Sequence, residues 1–327
     1  MKNYFLAVFT GIAVSVVVGF IIIPILKRMK FGQNILVYVK EHGYKGGTPT
    51  MGGFIFIVGS IISFFVWKSG DGHLAIICIS VGLAYMFVGF IDDFIKIKLK
   101  RNEGLSPIQK TLFELAVAII IAVFSYSRGL TKAYIPFTSE IVDMGAWYLP
   151  VCIIVFIATT NSVNLTDGLD GLAAGTSYVY FAVIATLIIC QMNVFSSNYV
   201  NISEYRNLIT LSFSLVGGLI GYLLFNTYKA SVFMGDTGSL SLGGFIAAVS
   251  LMSGNVFFIP LIGITYVCSS ISVILQVAHF KRTGKRIFLM APLHHHFQHK
   301  GYSESKIVFG YKLITLAVGI ICIVFCL

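Results

Sequence analysis

The sequence predicts an all-α, polytopic integral membrane protein with about ten transmembrane helices, and three observations carry that prediction. Of the 327 residues, 57% are hydrophobic and only 11% are charged, whereas a soluble domain carries about 25% charged residues. Mean hydropathy is +0.89. The apolar residues also fall in runs of about 15 to 24, the length that crosses roughly 30 Å of hydrocarbon as helix. A soluble enzyme, a disordered chain and a secreted disulfide scaffold are therefore excluded.

The runs can be justified in order. The first, 4–26, has only Lys2 before it, no small-x-small cleavage site, and Lys27, Arg28 and Lys30 after it, so it reads as a retained anchor rather than a signal peptide. The second, 50–66, follows a Gly/Thr-rich segment and ends at Trp67, and the third, 74–91, runs into Asp92 and Asp93. Next come 112–128, then 147–160 with Trp147 at its start; the two tryptophans mark outer helix ends, where interfacial aromatics collect. After a Gly/Asn/Asp-rich turn follow 172–191, 207–225, 238–253, 257–280 and 307–327. With no linker, low-complexity segment or internal repeat, residues 1–327 read as a single integral membrane domain.

A net charge of +10 raises nucleic acid as a partner, but the cations sort by loop instead. Alternate loops (27–50, 92–111, 161–171, 226–236 and 281–306) hold 17 of the 23 Lys and Arg, and the opposite loops hold Lys68, Arg128, Lys132 and Arg206. The positive-inside rule turns the first set to the cytoplasm, and an even helix count puts both termini on the other side. Eight acids share that face: Glu41, Asp92, Asp93, Glu103, Asp167, Asp170, Asp236 and Glu304. The six cysteines all lie in apolar runs without metal-ligand spacing and read as small buried residues.

Five constellations occupy the cytoplasmic face. Asp92 and Asp93 are adjacent carboxylates at a helix end, which repel unless a cation shares them; the alternative is a solvated pair balanced by Lys96, Lys98, Lys100 and Arg101. In 161–175, Asn161, Asn164, Asp167 and Asp170 recur every three residues beside permissive glycines, aligning them for a ligand or simply forming a turn. Asp236, between Gly235 and Thr237, is either a helix N-cap or a magnesium carboxylate. His294, His295 and His296 stand in the most basic loop and suit a phosphorylated ligand better than zinc, since neighbours on regular backbone cannot all reach one ion. Lys45, Thr48 and Thr50 offer donors at the start of the second helix, before the close-packing Gly52 and Gly53. Together these groups suit phosphoryl transfer at a membrane surface, with the phosphate site assembled from separate loops because no P-loop is present.

Lys45 to Gly53, Asp92-Asp93 with Lys96 and Lys110, Asn161 to Leu172, Phe233 to Gly244 and Pro292 to Phe297 resemble, in order and over nearly the whole chain, the hallmarks of the phospho-N-acetylmuramoyl-pentapeptide transferase family. That family belongs to the polyprenyl-phosphate N-acetylhexosamine-1-phosphate transferases. The paired Asp and the NxxNxxDGxDGL segment are shared across the superfamily, while TPTMGG and PLHHHF favour the muramoyl-pentapeptide branch over relatives using UDP-GlcNAc. The resemblance implies transfer of phospho-MurNAc-pentapeptide from UDP-MurNAc-pentapeptide to undecaprenyl phosphate in peptidoglycan synthesis, giving lipid I and UMP with Mg2+. It further implies ten membrane helices, a homodimer, and a bacterial inner membrane location with the site facing the cytoplasm.

By motif position, Asp236 is then the Mg2+ ligand, and Asp92 and Asp93 handle the lipid phosphate or its proton. Asn161, Asn164, Asp167, Asp170 and Asn226 fall to the nucleotide or diphosphate region; Lys45, Lys96 and Lys110 neutralise phosphates beside Thr48; His294, His295 and His296 bind the sugar-diphosphate side. Two positions depart from the family pattern, Lys229 for a usual Pro and Gln298 for a common Glu. Direct attack by the lipid phosphate and a covalent phospho-enzyme route are both compatible with these residues, the direct route being favoured because a carboxylate that holds Mg2+ is a poor nucleophile. A secondary transporter would place its ionisable residues near the bilayer midplane, whereas these acids gather at helix ends.

Overall fold

The computed structural model describes residues 1–29, 47–99, 103–138, 140–196 and 202–326. Backbone groups in hydrocarbon must be satisfied within their own segment, and helices accordingly dominate. They are α1 (Lys2–Arg28), α2 (Gly53–Trp67), α3 (His73–Lys98), α4 (Pro107–Ser127), α5 (Tyr148–Thr166), α6 (Leu172–Ser196), α7 (Ile202–Asn226), α8 (Gly235–Met252), α9 (Ile259–Ile262), α10 (Ile264–Thr283), α11 (Leu293–His299) and α12 (Glu304–Val324). The strands are β1 (Lys132–Tyr134) and β2 (Ile141–Asp143), an antiparallel hairpin pairing Ala133 with Val142.

Among the described residues, eight helices are long and apolar enough to cross a bilayer, against the ten expected. The shortfall lies in α2, which has 15 residues, and in α8, whose opening GDTGSLSLGG is too polar. That polarity is tolerated because α8 does not face lipid: Thr237 through Met252 are all buried. The run 257–280 is not one helix either. Pro260 and Gly263 interrupt it, leaving a short turn, α9 and then α10. Conversely α3 continues past Asp93 to Lys98 and α5 past Asn164 to Thr166, so two motifs expected at helix ends or in a loop sit on helical backbone.

Small residues allow this packing. On α1 the buried positions Ala7, Gly11, Ser15 and Gly19 recur every four residues, a stripe that admits a neighbouring backbone. It meets Gly217, Gly218 and Gly221 of α7: a Cβ on Gly11 would come within 2.9 Å of Gly218 N, and one on Gly217 would fall onto the backbone carbonyl of Val8. Ser15 and Ser63 donate across the α1–α2 contact to Ile55 O (3.2 Å) and Ala7 O (2.6 Å). Gly217→Val should therefore separate α1 from α7 and cost about 1–3 kcal/mol, read as a lower melting temperature in detergent; an unchanged melt would contradict the close contact.

Candidate active site

The site forms where α3 and α8 press together. A Cβ on Gly89 would overlap the carbonyl of Asp236, so the first turn of α8 lies directly against α3. One turn further along α3, Asp93 Oδ2 accepts from Thr237 N at 2.9 Å and Thr237 Oγ1 at 2.7 Å. Asp93 thus satisfies an amide that the helix start leaves unpaired, and its negative charge suits the positive end of the helix. Capping, one of the two roles the sequence left open for Asp236, is performed from another helix.

Asp236 is released for other contacts. Its Oδ2 receives Lys96 Nζ at 3.0 Å and Lys110 Nζ at 3.1 Å, and its Oδ1 receives Asn164 Nδ2 at 2.8 Å. The same Asn164 nitrogen reaches Ser239 Oγ at 2.8 Å, and Asn164 Oδ1 accepts from Lys110 at 3.4 Å. Asp92 Oδ1 accepts from Leu105 N at 2.8 Å. Asp92 Oδ2 and Lys96 Nζ lie 2.6 Å apart as an ion pair rather than a directed hydrogen bond. Asp93 Oδ1 is different: it is buried, has no hydrogen-bond partner, and its nearest cation, Lys96, is 4.0 Å away.

One oxygen from each of Asp92, Asp93 and Asp236 lies within 4.8 Å of the others. Hard oxygen donors at that spacing, one of them buried and unpartnered, fit a divalent cation. The two lysines supply positive charge on the same spot. Carboxylates to hold a metal and ammonium groups to hold phosphate oxygens are what phosphoryl transfer needs.

The remaining expected residues divide. Lys45 lies outside the described residues, as do Lys100 and Arg101; Thr48 is half-buried just before Pro49–Gly53. That segment runs beside the start of α8, with Phe233 N on Pro49 O and Gly52 N on Phe233 O, both at 2.8 Å. Gly235 bends there with φ of 71°, and a Cβ on it would stand 2.5 Å from both Asp93 Oδ2 and Thr50 Oγ1. Asp170 Oδ2 accepts from Ala230 N at 3.1 Å, while Asn226 spans Gly171 N (3.1 Å) and Val232 O (3.0 Å). These two brace the loops around Gly171 and Ala230. In the second loop Lys229 takes φ of 63°, a conformation closed to the proline of the family pattern. Asp167, at the end of α5, carries a raised pKa from burial and from the charges of Asp236, Asp93 and Asp170.

Asn161 turns away from Asp236. Its Nδ2 donates to Glu114 Oε2 at 2.5 Å and to Ile157 O at 2.9 Å, using both amide hydrogens. Glu114 of α4 was not singled out by sequence, although an acid inside the run 112–128 is itself the signal.

The histidines also separate. His294 is buried with both ring nitrogens unpartnered, its ring centroid 4.4 Å from that of His295 at a tilt of 57°; both approach Gly168, where a Cβ would fall onto His294 Nε2. His295 Nδ1 pairs with Gln298 Oε1 at 2.7 Å, and Gln298 Nε2 donates to Glu304 at 3.3 Å, which a Glu at 298 could not do. His296 instead accepts from Leu289 N at 3.1 Å.

Burial, then the neighbouring His295, pushes His294 well below its ordinary pKa of 6.5. The unfolded chain therefore takes up a proton first as pH falls below about 6.5, and stability drops in that window. His294→Gln should lose less melting temperature than the wild type between about pH 7.5 and 5.5; equal losses would place His294 in contact with solvent.

The sequence profile described as glycosyl transferase family 4 matches residues 73–254. The phospho-N-acetylmuramoyl-pentapeptide-transferase of Caldanaerobacter subterraneus subsp. tengcongensis is 41% identical over 317 residues, covering 97% of this chain and 96% of the relative. Proteins with the same description from Clostridium perfringens (43% identity, 95% of this chain and 93% of the relative) and Clostridioides difficile (40%, 95% and 94%) are similar along almost their full lengths. These bacterial relatives and the apolar helices identify a bacterial membrane protein. By profile and by near full-length identity, the chain belongs to glycosyl transferase family 4 and, within it, to the phospho-N-acetylmuramoyl-pentapeptide transferases.

Proposed function

We propose that the chain moves the phospho-MurNAc-pentapeptide unit of UDP-MurNAc-pentapeptide to undecaprenyl phosphate, releasing UMP and forming lipid I, with Mg2+ at the Asp236 cluster. The single observation that supports this reading most is the meeting of Asp236 with Asp92, Asp93, Lys96, Lys110 and Asn164. The relatives are described as transferring phospho-N-acetylmuramoyl-pentapeptide, and the PLHHHF and TPTMGG segments support the same donor over UDP-GlcNAc. The loop distribution of Lys and Arg supports a cytoplasmic-facing site in the inner membrane. The chain works as one domain, and the same family resemblance supports a homodimer.

Asp236 is the principal metal ligand in this reading, with Asp92 and Asp93 beside it. Mg2+, when bound, neutralises charge developing on the transferring phosphoryl group. Lys96 and Lys110, already at the cluster, hold diphosphate oxygens; Asn164 orients the Asp236 carboxylate. Lys45, Thr48, Asp167 and Asp170 serve the donor from the surrounding loops, and His294 and His295 its sugar-diphosphate side, against Gly168. An oxygen of the lipid phosphate bonds to the donor's β-phosphorus, the bond from that phosphorus to the bridging oxygen breaks, and UMP leaves with the electron pair. Any proton still on the lipid phosphate passes to Asp92. Since a phosphate monoester loses its second proton near pH 6, little base catalysis is required.

Purified protein with undecaprenyl phosphate and Mg2+ should release UMP from UDP-MurNAc-pentapeptide and not from UDP-GlcNAc; the opposite preference would move the assignment to the related transferases. Asp236→Asn should fold and insert normally yet lower turnover at least about 100-fold, because an amide loses the charge that holds the metal. The direct route further requires that enzyme and labelled donor, without lipid, yield neither stoichiometric UMP nor labelled protein.

A further inference from the structure

Glu114 is a fully buried acid on a membrane-spanning helix, a position where a charge is expensive unless it serves a purpose. Its Oε2 is held by Asn161 Nδ2 at 2.5 Å and approached by Thr160 Oγ1 at 3.5 Å, while Oε1 has no partner. Its two donors engage only Oε2, so burial leaves the other oxygen desolvated without compensation. The neighbouring contacts point to its use. One turn before Glu114 on α4 is Lys110, and one turn after Asn161 on α5 is Asn164. Lys110 and Asn164 touch each other and both grip Asp236. Two rungs therefore join α4 to α5: Glu114 with Asn161, then Lys110 with Asn164, and the second rung ends on the proposed metal carboxylate.

We propose that Glu114 is a positioning residue for phosphoryl transfer, clamping Asn161 so that α4 and α5 present Lys110 and Asn164 to Asp236 in register. The inference rests on the reading of the Asp236 cluster as the transfer site. It assigns Glu114 no contact with substrate. Its effect reaches the reaction through the second rung, so its loss should appear in turnover rather than in donor binding.

A residue needed only for folding and one needed for positioning predict different kcat values per folded Glu114→Leu protein. Removing the carboxylate relieves its desolvation but strands one Asn161 amide hydrogen, so the melting temperature should shift by only a few degrees. With the clamp gone, kcat should fall at least about 10-fold while donor KM stays within about threefold. A second pair of variants tests the clamp itself. Asn161→Asp sets two carboxylates against each other and should depress kcat, whereas Glu114→Gln combined with Asn161→Asp restores the amide–carboxylate pair, though not the Ile157 O contact, and should recover part of the lost kcat. The proposal is overturned if Glu114→Leu keeps wild-type kcat, if its loss of kcat is no larger than its loss of folded protein, or if the folded double variant is no faster than Asn161→Asp. Wild-type UMP release from UDP-MurNAc-pentapeptide tests the functional reading separately, and the ratio of variant to wild type tests Glu114 alone.

Discussion

Three carboxylates with oxygens inside 4.8 Å of one another repel strongly, and the region around them is arranged to make that crowding tolerable. Each acid is relieved in a different way. Asp93 spends one oxygen on the amide and hydroxyl of Thr237, Asp92 is tied to Leu105 N and to Lys96, and Asp236 draws two ammonium groups and an amide. With all three acids ionised, two lysines leave one negative charge uncompensated in a chain whose overall charge is +10. A divalent cation fits that local surplus, and the surrounding cations fit an anionic donor and an anionic acceptor.

The fold serves this cluster by bringing a polar helix into its interior. α8 begins with residues that no lipid-facing segment would carry, and it is accommodated because α3, α5 and α2 surround it. Its hydroxyls find partners within that shell: Ser241 donates to Gly82 O at 2.9 Å, and Ser239 both accepts from Asn164 and donates to Gly235 O. Glycine at 53, 89 and 238 brings backbones together where a methyl group would meet another chain segment. The closeness matters chemically, since Asp93 on α3 can cap α8 only if the two helices touch at that turn. The cap in turn leaves Asp236 available to the lysines.

Much of this was legible from residue types. Apolar runs gave the helical class, and the scarcity of acids made the Asp92, Asp93 and Asp236 constellation stand out before any geometry was known. Boundaries were less legible where a helix outlasts its apolar stretch, as α3 does through Asp92–Lys98 and α5 through Asn161–Thr166, because buried polar residues extend a helix without extending its hydropathy. The count of spans blurred for the same reason at α8. Glu114 escaped notice because it was read as part of an apolar run, and its importance depends on which residue of α5 faces it, which one sequence does not state.

The limits of spacing arguments are clearest in the two motifs that repeat by short steps. Each residue of an α-helix turns by about 100°, so a step of three falls about 60° short of a full turn. Asn161 and Asn164 therefore do not share one line along α5: the first meets Glu114 of α4, and the second, offset from it, reaches both Lys110 of α4 and Asp236 of α8. The three adjacent histidines also part: His294 and His295 both approach Gly168, with His295 Nδ1 turned to Gln298, while His296 turns toward Leu289. A motif of like residues thus divides its labour by direction. One asparagine meets the reacting centre and the other meets the scaffold that holds it, so identical residue types three positions apart demand different experiments.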